Sequence, residues 1–478
     1  MKGTTRRSIL MQAGAAAVAA PAFFSARRAA AELPPFPPLS ANDALLLRPG
    51  DPLFPDYQTS FNLRTTATPQ LRALCKTARA VSVMVDWCRS NSLPFAIRCG
   101  GHSYEGFSQS TSVVIDTRMT GTIKVDPKTN TASVGAGASL GSLYQAIAPY
   151  RLAFTGGSCP TVGVSGHLLG GGYGCLARPF GLACDSLVSV DLIDPDGKQI
   201  QADAKQNPDL FWACRGGGGG SFGVATNFTV KLQKVASVIV FNIRWPALSA
   251  ASAAAVMKAW QIWAPHAPQT IDSNVVIATG AKGTVDIHAA GQSVGTLQEL
   301  QSALKALPKP QSSLIKQMTF IAAVKYFAGP PGYPVQLMKG KSDYATAPLD
   351  DAGLAALMDG VRRSSGMYVV CDAYGGAMAK IAPDATAFVH RDGTLYCLQY
   401  GSVWGIAGDT QERLNEMRAF YATMRPYVSG GAYVNYCDTD LTDWPNAYWG
   451  QNLARLKQIK SAFDPTNAFH HAQSIPLS

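Results

Sequence analysis

At residues 94–104 the chain reads PFAIRCGGHSY, an apolar run that ends at Arg98, followed by Gly100, Gly101 and then His102. Glycine lacks a Cβ atom, so main-chain N–H groups at these positions can converge on a bulky anionic ligand such as a diphosphate. A histidine presented by such a loop is a candidate for a covalent bond to a bound cofactor. A surface or hydrogen-bonded histidine is the alternative that this stretch alone leaves open.

Two further groups of motifs follow in a fixed order. The first is Cys159-Pro160-Thr161-Val162-Gly163, which runs through His167 into Gly170-Gly171-Gly172, and the second contains Tyr433-Val434-Asn435-Tyr436, Tyr448-Trp449-Gly450-Gln451-Asn452 and Asp464-Pro465-Thr466-Asn467. Together with the His102 loop, these motifs resemble the berberine bridge enzyme-like family of FAD-linked oxidases, within the vanillyl-alcohol-oxidase type of flavoproteins. The resemblance covers nearly the whole chain after its first 31 residues.

The alternation of short strands and helices predicts an α+β fold. The resemblance implies a two-part FAD-binding domain of the vanillyl-alcohol-oxidase type, residues 32–234 and 432–478, and an α/β substrate-binding domain, residues 235–431, with an antiparallel sheet covered on one side by helices. We expect a helix near residues 77–91 and strands near 95–98, 112–116, 131–135 and 224–232 in the first part. In the second we expect helices near 249–263 and 297–306 and strands near 275–278, 284–289 and 394–400.

The first 31 residues resemble a twin-arginine signal peptide: Arg6-Arg7 precedes an alanine-rich apolar stretch, and Ala29-Ala30-Ala31 suits cleavage. The apolar stretch is shorter than the roughly 20 residues of a membrane span and contains Pro21. We therefore expect the twin-arginine export machinery as a partner, a periplasmic or secreted protein, and no stable membrane insertion.

The chain has a formal charge of +10, and residues 1–31 hold five basic and no acidic residues, so the rest carries +5. No dense basic run interleaved with aromatics remains, which argues against a nucleic-acid partner.

The ten cysteines include no C-x-x-C motif, and we predict no metal site. The segment Gly135-Ala136-Gly137-Ala138-Ser139-Leu140-Gly141 resembles a dinucleotide fingerprint, but its third glycine is one residue late and no acidic residue follows at the required distance, so NAD is rejected.

The resemblance implies FAD bound covalently through His102 and, in many family members, also through the cysteine matched by Cys159. An unreacted buried thiol is the alternative for Cys159. It further implies that a valine at Val162 admits dioxygen, with hydrogen peroxide as product, whereas ordinary packing is the alternative.

Five consecutive glycines, residues 216–220, form either a flexible linker or a close approach to the cofactor, and we favour the second. The other expected cofactor-binding residues are Ile97, Arg98, Cys99, Gly100, Gly101, Ser103, Gly163, His167, Gly171 and Val224.

Removal of hydride from an alcohol carbon needs a group that accepts the hydroxyl proton. Tyr436 is the candidate base, and a free tyrosine pKa near ~10 means that a cation or donor must lower it; an aromatic platform in the core is its alternative. Gln399 is a candidate substrate contact or else a solvent-facing strand residue. Tyr104 lies two residues after His102, where sugar-oxidising relatives contact substrate.

We therefore predict a small-molecule substrate that is a mono- or oligosaccharide. Two alternatives stay open. One is an oxidase, dehydrogenase or oxidative cyclase acting on a phenolic or alkaloid-like metabolite, for which Tyr326, Phe327 and Trp404 would suit a flat ligand as well as a sugar face. The other is a flavin-loaded binding protein without turnover.

Overall fold

The structure is a computed structural model, and it describes residues 33–328 and 335–478. The predicted signal peptide, residues 1–31, lies outside the described residues. Residues 36–478 form one compact unit. The predicted domain boundaries after residues 234 and 431 fall inside this unit and stay predictions.

The chain is a mixed α+β protein. Its strands are β1 (Ala44–Leu47), β2 (Leu71–Cys75), β3 (Phe95–Arg98), β4 (Val113–Asp116), β5 (Ile123–Asp126), β6 (Thr131–Gly135), β7 (Leu152–Ala153), β8 (Leu187–Ile193), β9 (Gln199–Asp203), β10 (Val224–Lys231), β11 (Gln233–Lys234), β12 (Val238–Leu248), β13 (Ile271–Thr279), β14 (Val285–Ser293), β15 (Ser312–Met318), β16 (Leu337–Ala345), β17 (Met367–Ala373) and β18 (Tyr396–Trp404). Its α-helices are α1 (Phe54–Gln58), α2 (Ala78–Ser90), α3 (Leu140–Ile147), α4 (Val164–Leu169), α5 (Ala177–Phe180), α6 (Pro208–Ala213), α7 (Ala250–Trp263), α8 (Leu297–Leu304), α9 (Phe320–Ala328), α10 (Asp351–Arg362), α11 (Thr410–Met424), α12 (Trp444–Trp449) and α13 (Leu453–Phe463).

Two main sheets and the short antiparallel pair β7-β11 lie in the part of the molecule before residue 235. The first has the order β1-β2-β4-β3, with β2, β4 and β3 parallel, and the second has the order β5-β6-β10-β8-β9 and is antiparallel. Helix α2 packs between them. Its N-cap Thr77 accepts a hydrogen bond from the amide of Ala80, and Val81, Val85 and Cys88 recur at helical spacing and are buried. The helix and strands predicted here are confirmed.

The third sheet is antiparallel and has the order β15-β12-β14-β13-β17-β18-β16. Helices α7, α10 and α11 cover one of its faces. In β18, Tyr396, Leu398 and Tyr400 pack in the core under these helices, whereas Gln399 points to the opposite face, into a cavity. This is the two-residue alternation of a β-strand. Segments after residue 431 share a hydrophobic core with the part before residue 235.

The glycines of the rejected dinucleotide fingerprint have a packing role. A Cβ atom at Gly135 would overlap the carbonyl oxygen of Thr120, and one at Gly137 would overlap that of Thr117. The turn opens α3, whose N-cap Ser139 accepts a hydrogen bond from the amide of Ser142. All ten cysteines lie in the described residues, and none of them forms a disulfide.

Candidate active site

A cavity of about 970 Å³ lies between the face of the third sheet that α7, α10 and α11 do not cover and the loops of the preceding part. It is lined by residues of the His102 loop, the segment 157–167, the glycines 217–220, the third sheet and the C-terminal segments 433–437 and 469–473. Of the predicted site residues, those that line it are Ile97, Cys99, Gly100, Gly101, His102, Ser103, Tyr104, Cys159, Val162, Gly163, His167, Gln399 and Tyr436.

The His102 loop begins where β3 ends and is held by close backbone contact. A Cβ at Gly100 would lie 2.9 Å from the carbonyl oxygen of Thr161, and Gly101 has a φ of +72°, so both positions favour glycine. The ring of Phe61 stacks on His102 with 4.4 Å between centroids. Burial lowers the pKa of His102 to about 4, which leaves its imidazole neutral at physiological pH.

Thr161 connects the two candidate attachment residues. Its Oγ1 lies 2.9 Å from Nε2 of His102 and 3.6 Å from Sγ of Cys159. The side chains of His102 and Cys159 therefore meet at one hydroxyl group, although 56 positions separate them in the chain. The ring nitrogen of His102 that Thr161 does not contact is Nδ1.

Helix α4 places His167 on the cavity wall. The amide of Gly157 donates to its Nε2 over 3.3 Å, so this nitrogen carries no proton, and burial lowers the pKa of His167 to about 4. The residue before it, Gly166, is exposed, and a Cβ built there meets no protein atom within 4 Å. Its missing side chain leaves room on the cavity side.

The three predicted catalytic residues come together at the cavity. Nε2 of Gln399 donates to the hydroxyl of Tyr104 over 2.6 Å, and the ring of Tyr104 stacks on that of Tyr436 with 5.6 Å between centroids. Burial raises the pKa of Tyr436 well above its usual value, and the negative charge of Asp372 raises it further. The expectation that a cation or donor lowers this pKa is therefore wrong for the described residues, whereas the role of Tyr436 as a base stays a prediction. With its proton in place, the hydroxyl of Tyr436 can donate a hydrogen bond.

The cavity face of the third sheet is polar. Every second residue of its strands points away from the helices, so the strands that bury Phe241, Ile287 and Val369 on one side present polar groups on the other. The polar residues of this face that line the cavity are Asn242, Arg244, Asp272, Asn274, His288, Gln292, Tyr368, Asp372 and Gln399. Sequence reasoning missed all but Gln399, although the same alternation in β12, β13, β14 and β17 could have identified them.

A buried ionic cluster fixes the loop and the C-terminal segment to β16. Nζ of Lys339 lies 2.5 Å from Glu105 and 2.6 Å from Asp438, and Nζ of Lys341 lies 2.6 Å from Asp438 and 2.9 Å from Asp440. Both lysines are 2% exposed, so the carboxylates compensate for their lost hydration. Glu105 adjoins Tyr104, and the cluster therefore anchors the loop beside that residue. The sequence analysis did not anticipate it.

Three predicted cofactor-binding residues do not line the cavity among the described residues: Arg98, Gly171 and Val224. Arg98 is buried and donates to the carbonyl oxygen of Thr59 and to Oγ of Ser60, so it supports the loop from behind. Gly171 packs against the ring of Phe388, and Val224 is buried at the start of β10. Trp404 is also absent from the lining, because it is buried and donates to Oγ1 of Thr410, whereas Tyr326 and Phe327 line the cavity.

Within the described ranges, no group of three or more His, Cys, Asp or Glu side chains is placed to hold a metal ion. None of the helices in those ranges is long and apolar enough to cross a membrane.

Comparisons with known proteins give consistent matches. A sequence model described as FAD binding domain matches residues 69–203, and one described as berberine and berberine like matches residues 432–476. The FAD-linked oxidoreductase YgaK of Bacillus subtilis is 34% identical over 436 residues, which cover 89% of this chain and 95% of the relative. A monolignol oxidoreductase of Arabidopsis thaliana, AtBBE-like 13, is 34% identical over 427 residues, covering 80% of this chain and 79% of the relative.

Solved structures agree. Wild-type BBE-like 1 of Physcomitrella patens superposes with a TM-score of 0.85 at 30% identity and covers 91% of this chain and 98% of that one. The berberine bridge enzyme of Eschscholzia californica gives a TM-score of 0.85 at 28% identity, with 91% of this chain and 97% of that one covered.

Proposed function

Because the chain belongs to the berberine bridge enzyme-like family of FAD-linked oxidoreductases, we propose that it oxidises a hydroxyl-bearing carbon of a mono- or oligosaccharide. When bound, FAD supplies the two-electron chemistry by accepting hydride from the substrate carbon and returning the electrons to dioxygen, which yields hydrogen peroxide. The product is a lactone from a reducing sugar and an aldehyde from a primary alcohol.

The residues of the cavity fit FAD. Gly166 and Gly219 lie close together, since a Cβ at Gly219 would meet the Cα of Gly166 at 3.8 Å. Because neither residue has a side chain, the cavity stays open beside both of them. The amides of Gly217 and Gly218 donate to the carbonyl oxygens of Ala213 and Leu169, whereas Gly219, Gly220 and the Gly100-Gly101 loop line the cavity where main-chain N–H groups would suit a diphosphate. These positions form a cradle that side chains would fill.

We further propose that His102 and Cys159 both bond covalently to FAD. The neutral imidazole of His102 has a free electron pair, and Thr161 engages Nε2, so Nδ1 is the nitrogen left for the bond. Cys159 is partly exposed and contacts the same hydroxyl of Thr161. Covalent attachment would retain the cofactor in a protein exported through the proposed twin-arginine signal.

The polar face of the third sheet is the observation that carries the carbohydrate assignment. Amide, carboxyl and guanidinium groups on adjacent strands match the closely spaced hydroxyls of a sugar, because a buried polar group left without a partner costs about 1–3 kcal/mol. The rings of Tyr104 and Tyr436 add apolar surface for sugar C–H groups. A flat apolar ligand would leave the buried side-chain amide of Gln292, which finds no hydrogen-bond partner among the described residues, unpaired.

Each of the chain's own groups has a role in this proposal. Gln399 positions the hydroxyl of Tyr104 at the cavity, and Tyr436 donates a hydrogen bond to the substrate oxygen. Val162, partly buried on the cavity wall, leaves access for dioxygen. We expect Val162→Leu to slow reoxidation by dioxygen more than reduction by substrate.

The second candidate substrate class is phenolic, and the aromatic pair Tyr326 and Phe327 at the cavity favours it. Both classes are tested by one panel of sugars, primary alcohols and phenols, with peroxide release and anaerobic flavin bleaching as readouts. Peroxide from sugars alone supports the proposal, and peroxide from phenols alone replaces it. Bleaching without peroxide indicates a dehydrogenase, whereas no bleaching with any compound indicates a flavin-loaded binding protein.

Attachment is tested by acid precipitation, which separates covalent from free flavin. Wild type, His102→Ala and Cys159→Ala should each retain yellow flavin in the precipitate, and the double variant should lose it. Free flavin in the wild type would refute both bonds, and loss in His102→Ala alone would leave a single bond.

A further inference from the structure

A row of five side chains crosses the cavity face of the third sheet, starting beside the candidate catalytic residues. In the strand register, Gln399 of β18 lies opposite Val370 of β17, Val370 opposite Val276 of β13, Val276 opposite His288 of β14, and His288 opposite Arg244 of β12. Directly opposite residues share one face of a sheet, and all five line the cavity. Four strand spacings of about 4.8 Å put the backbones of Gln399 and Arg244 roughly 19 Å apart.

Arg244 is the one lysine or arginine among the described residues that line the cavity, and it is exposed. No carboxylate of the described residues lies within 4 Å of its guanidinium. Asp286, on the neighbouring strand, accepts a hydrogen bond from the amide of Ala247 instead. The acidic lining residues Asp272 and Asp372 lie on β13 and β17, and β14 separates these strands from β12. The fold therefore leaves this cation to a ligand.

Two hydrogen bonds orient the guanidinium of Arg244. The hydroxyl of Tyr326 in α9 accepts from Nδ2 of Asn242 over 3.1 Å, and Oδ1 of the same amide accepts from Nε of Arg244 over 3.2 Å. Among the described residues, hydrogen bonds thus occupy Nε, whereas Nη1 and Nη2 have no partner. These two nitrogens form a planar pair of donors, which matches the two oxygens of a carboxylate.

The rest of the row suits a saccharide chain. His288 lies beside Arg244, and burial together with the charge of Arg244 lowers its pKa, so its imidazole is neutral and has one N–H to donate. Val276 and Val370, in the middle of the row, are partly buried and offer an apolar surface to sugar C–H groups. A single sugar ring is too short to contact both Gln399 and Arg244, so a ligand that uses both ends of the row has several units.

We propose that Arg244 is a specificity-determining residue that binds a carboxylate of the substrate, and that Asn242 and Tyr326 are positioning residues that hold its guanidinium. The substrate class that follows is an acidic oligosaccharide. Its reacting hydroxyl lies near Gln399 and a uronic acid unit lies near Arg244, where His288 donates a further hydrogen bond. This inference rests on the proposed oxidation of a saccharide, because it names the kind of saccharide that the same cavity takes.

The first test compares uronic acid oligosaccharides of two to five units with their methyl esters, which have the same length and no charge. With the holoenzyme, half-maximal anaerobic flavin bleaching by the longer acids should need about 10-fold less sugar than bleaching by their esters. Arg244→Gln should abolish this preference, Arg244→Lys should keep part of it, and Tyr326→Phe should weaken it. Arg363→Gln removes the same charge at an exposed residue outside the described cavity lining and should keep the preference.

Two results of this comparison would overturn the proposal. One is an acid and an ester that bleach the flavin at equal concentrations in the wild type. The other is a preference for the acid that survives in Arg244→Gln. Equal covalent flavin and Tm in the variants would show that they fold.

The second test needs no turnover. In holoenzyme reduced anaerobically with dithionite, no sugar is oxidised, and calorimetric titration gives the Kd for the acid and for its ester. The acid should bind about 10-fold more tightly, and Arg244→Gln or about 0.5 M NaCl should remove the difference. Equal Kd values in the wild type would overturn the role of Arg244 even if sugars bleach the flavin. Tighter binding of the acid without bleaching by any sugar would support that role and refute the proposed oxidation.

Discussion

The side-chain amide of Gln399 donates a 2.6 Å hydrogen bond to the hydroxyl of Tyr104. This bond joins β18 of the third sheet to the loop that carries His102, so one contact couples the substrate side of the cavity to the candidate attachment site. Its donor lies in a strand and its acceptor in a loop, and the strand therefore determines where the loop's aromatic ring lies.

Tyr104→Phe tests this coupling. The variant leaves the amide of Gln399 without its acceptor at a partly buried site, and a hydrogen bond contributes about 0.5–1.5 kcal/mol, so kcat/KM for a sugar should fall about 10-fold. Covalent flavin should be unchanged because His102 is intact. Steady-state kinetics and acid precipitation measure both quantities, with the exposed Tyr150→Phe as the control. Loss of attached flavin in Tyr104→Phe would show that the ring shapes the cofactor site instead.

Removal of Asp438 tests the buried ionic cluster. Asp438→Asn leaves Lys339 and Lys341 buried with less compensating charge, and loss of one partner of a buried ion pair costs about 3–5 kcal/mol. The free energy of unfolding in urea should fall by about that amount. Asp196→Asn removes an exposed pair and should change it by less than about 1 kcal/mol. Equal values for the two variants would mean that hydration already compensates the lysines.

The same cluster predicts acid sensitivity. Hydrogen bonds from Arg418 and Lys341 and the charges of both buried lysines outweigh burial and lower the pKa of Asp440 far below its usual value. A carboxyl group with a lowered pKa in the folded state stabilises the protein above the unfolded-state pKa, about 3.9, and this contribution is lost as the pH falls. The difference in Tm between wild type and Asp440→Asn should therefore be constant from pH 7 to 5 and shrink below about 4. A difference that grows on acidification would contradict this sign.

The sequence predicted the local elements well, because their signals are local. The helix expected near residues 77–91 is α2, and the strand expected near residues 394–400 is β18, which places Gln399 at the cavity. Glycine was less informative. At Gly137 a side chain would overlap the carbonyl oxygen of Thr117, whereas at Gly166 a side chain would point into open space. The sequence alone does not distinguish a glycine required by close backbone packing from one that leaves room for a ligand.

The charged and acidic parts of the site could not be predicted because they are assembled across the fold. Lys339, Glu105 and Asp438 come from three distant segments, and each alone looks like a surface charge. The electrostatic surroundings of Tyr436 could not be predicted for the same reason. We expected a neighbouring cation or donor, and the third sheet places Asp372 there instead.

Gly166→Ala tests whether the cofactor lies where the glycines leave room. Alanine is favoured over glycine in a helix by about 1 kcal/mol, and the added Cβ meets no protein atom within 4 Å, so the Tm of the flavin-free protein should stay equal or rise. The methyl group would however occupy the cofactor's space, and a tight overlap costs about 1–3 kcal/mol.

Measured in the His102→Ala/Cys159→Ala background, where binding is reversible, the Kd for FAD in Gly166→Ala should rise about 10-fold, which corresponds to about 1.4 kcal/mol. Gly408→Ala is the matched control, because it also meets no protein atom within 4 Å but does not line the cavity in the described part of the chain, and its Kd should not change. Fluorescence titration of FAD with each variant gives the comparison. An unchanged Kd in Gly166→Ala would mean that the cofactor does not approach α4.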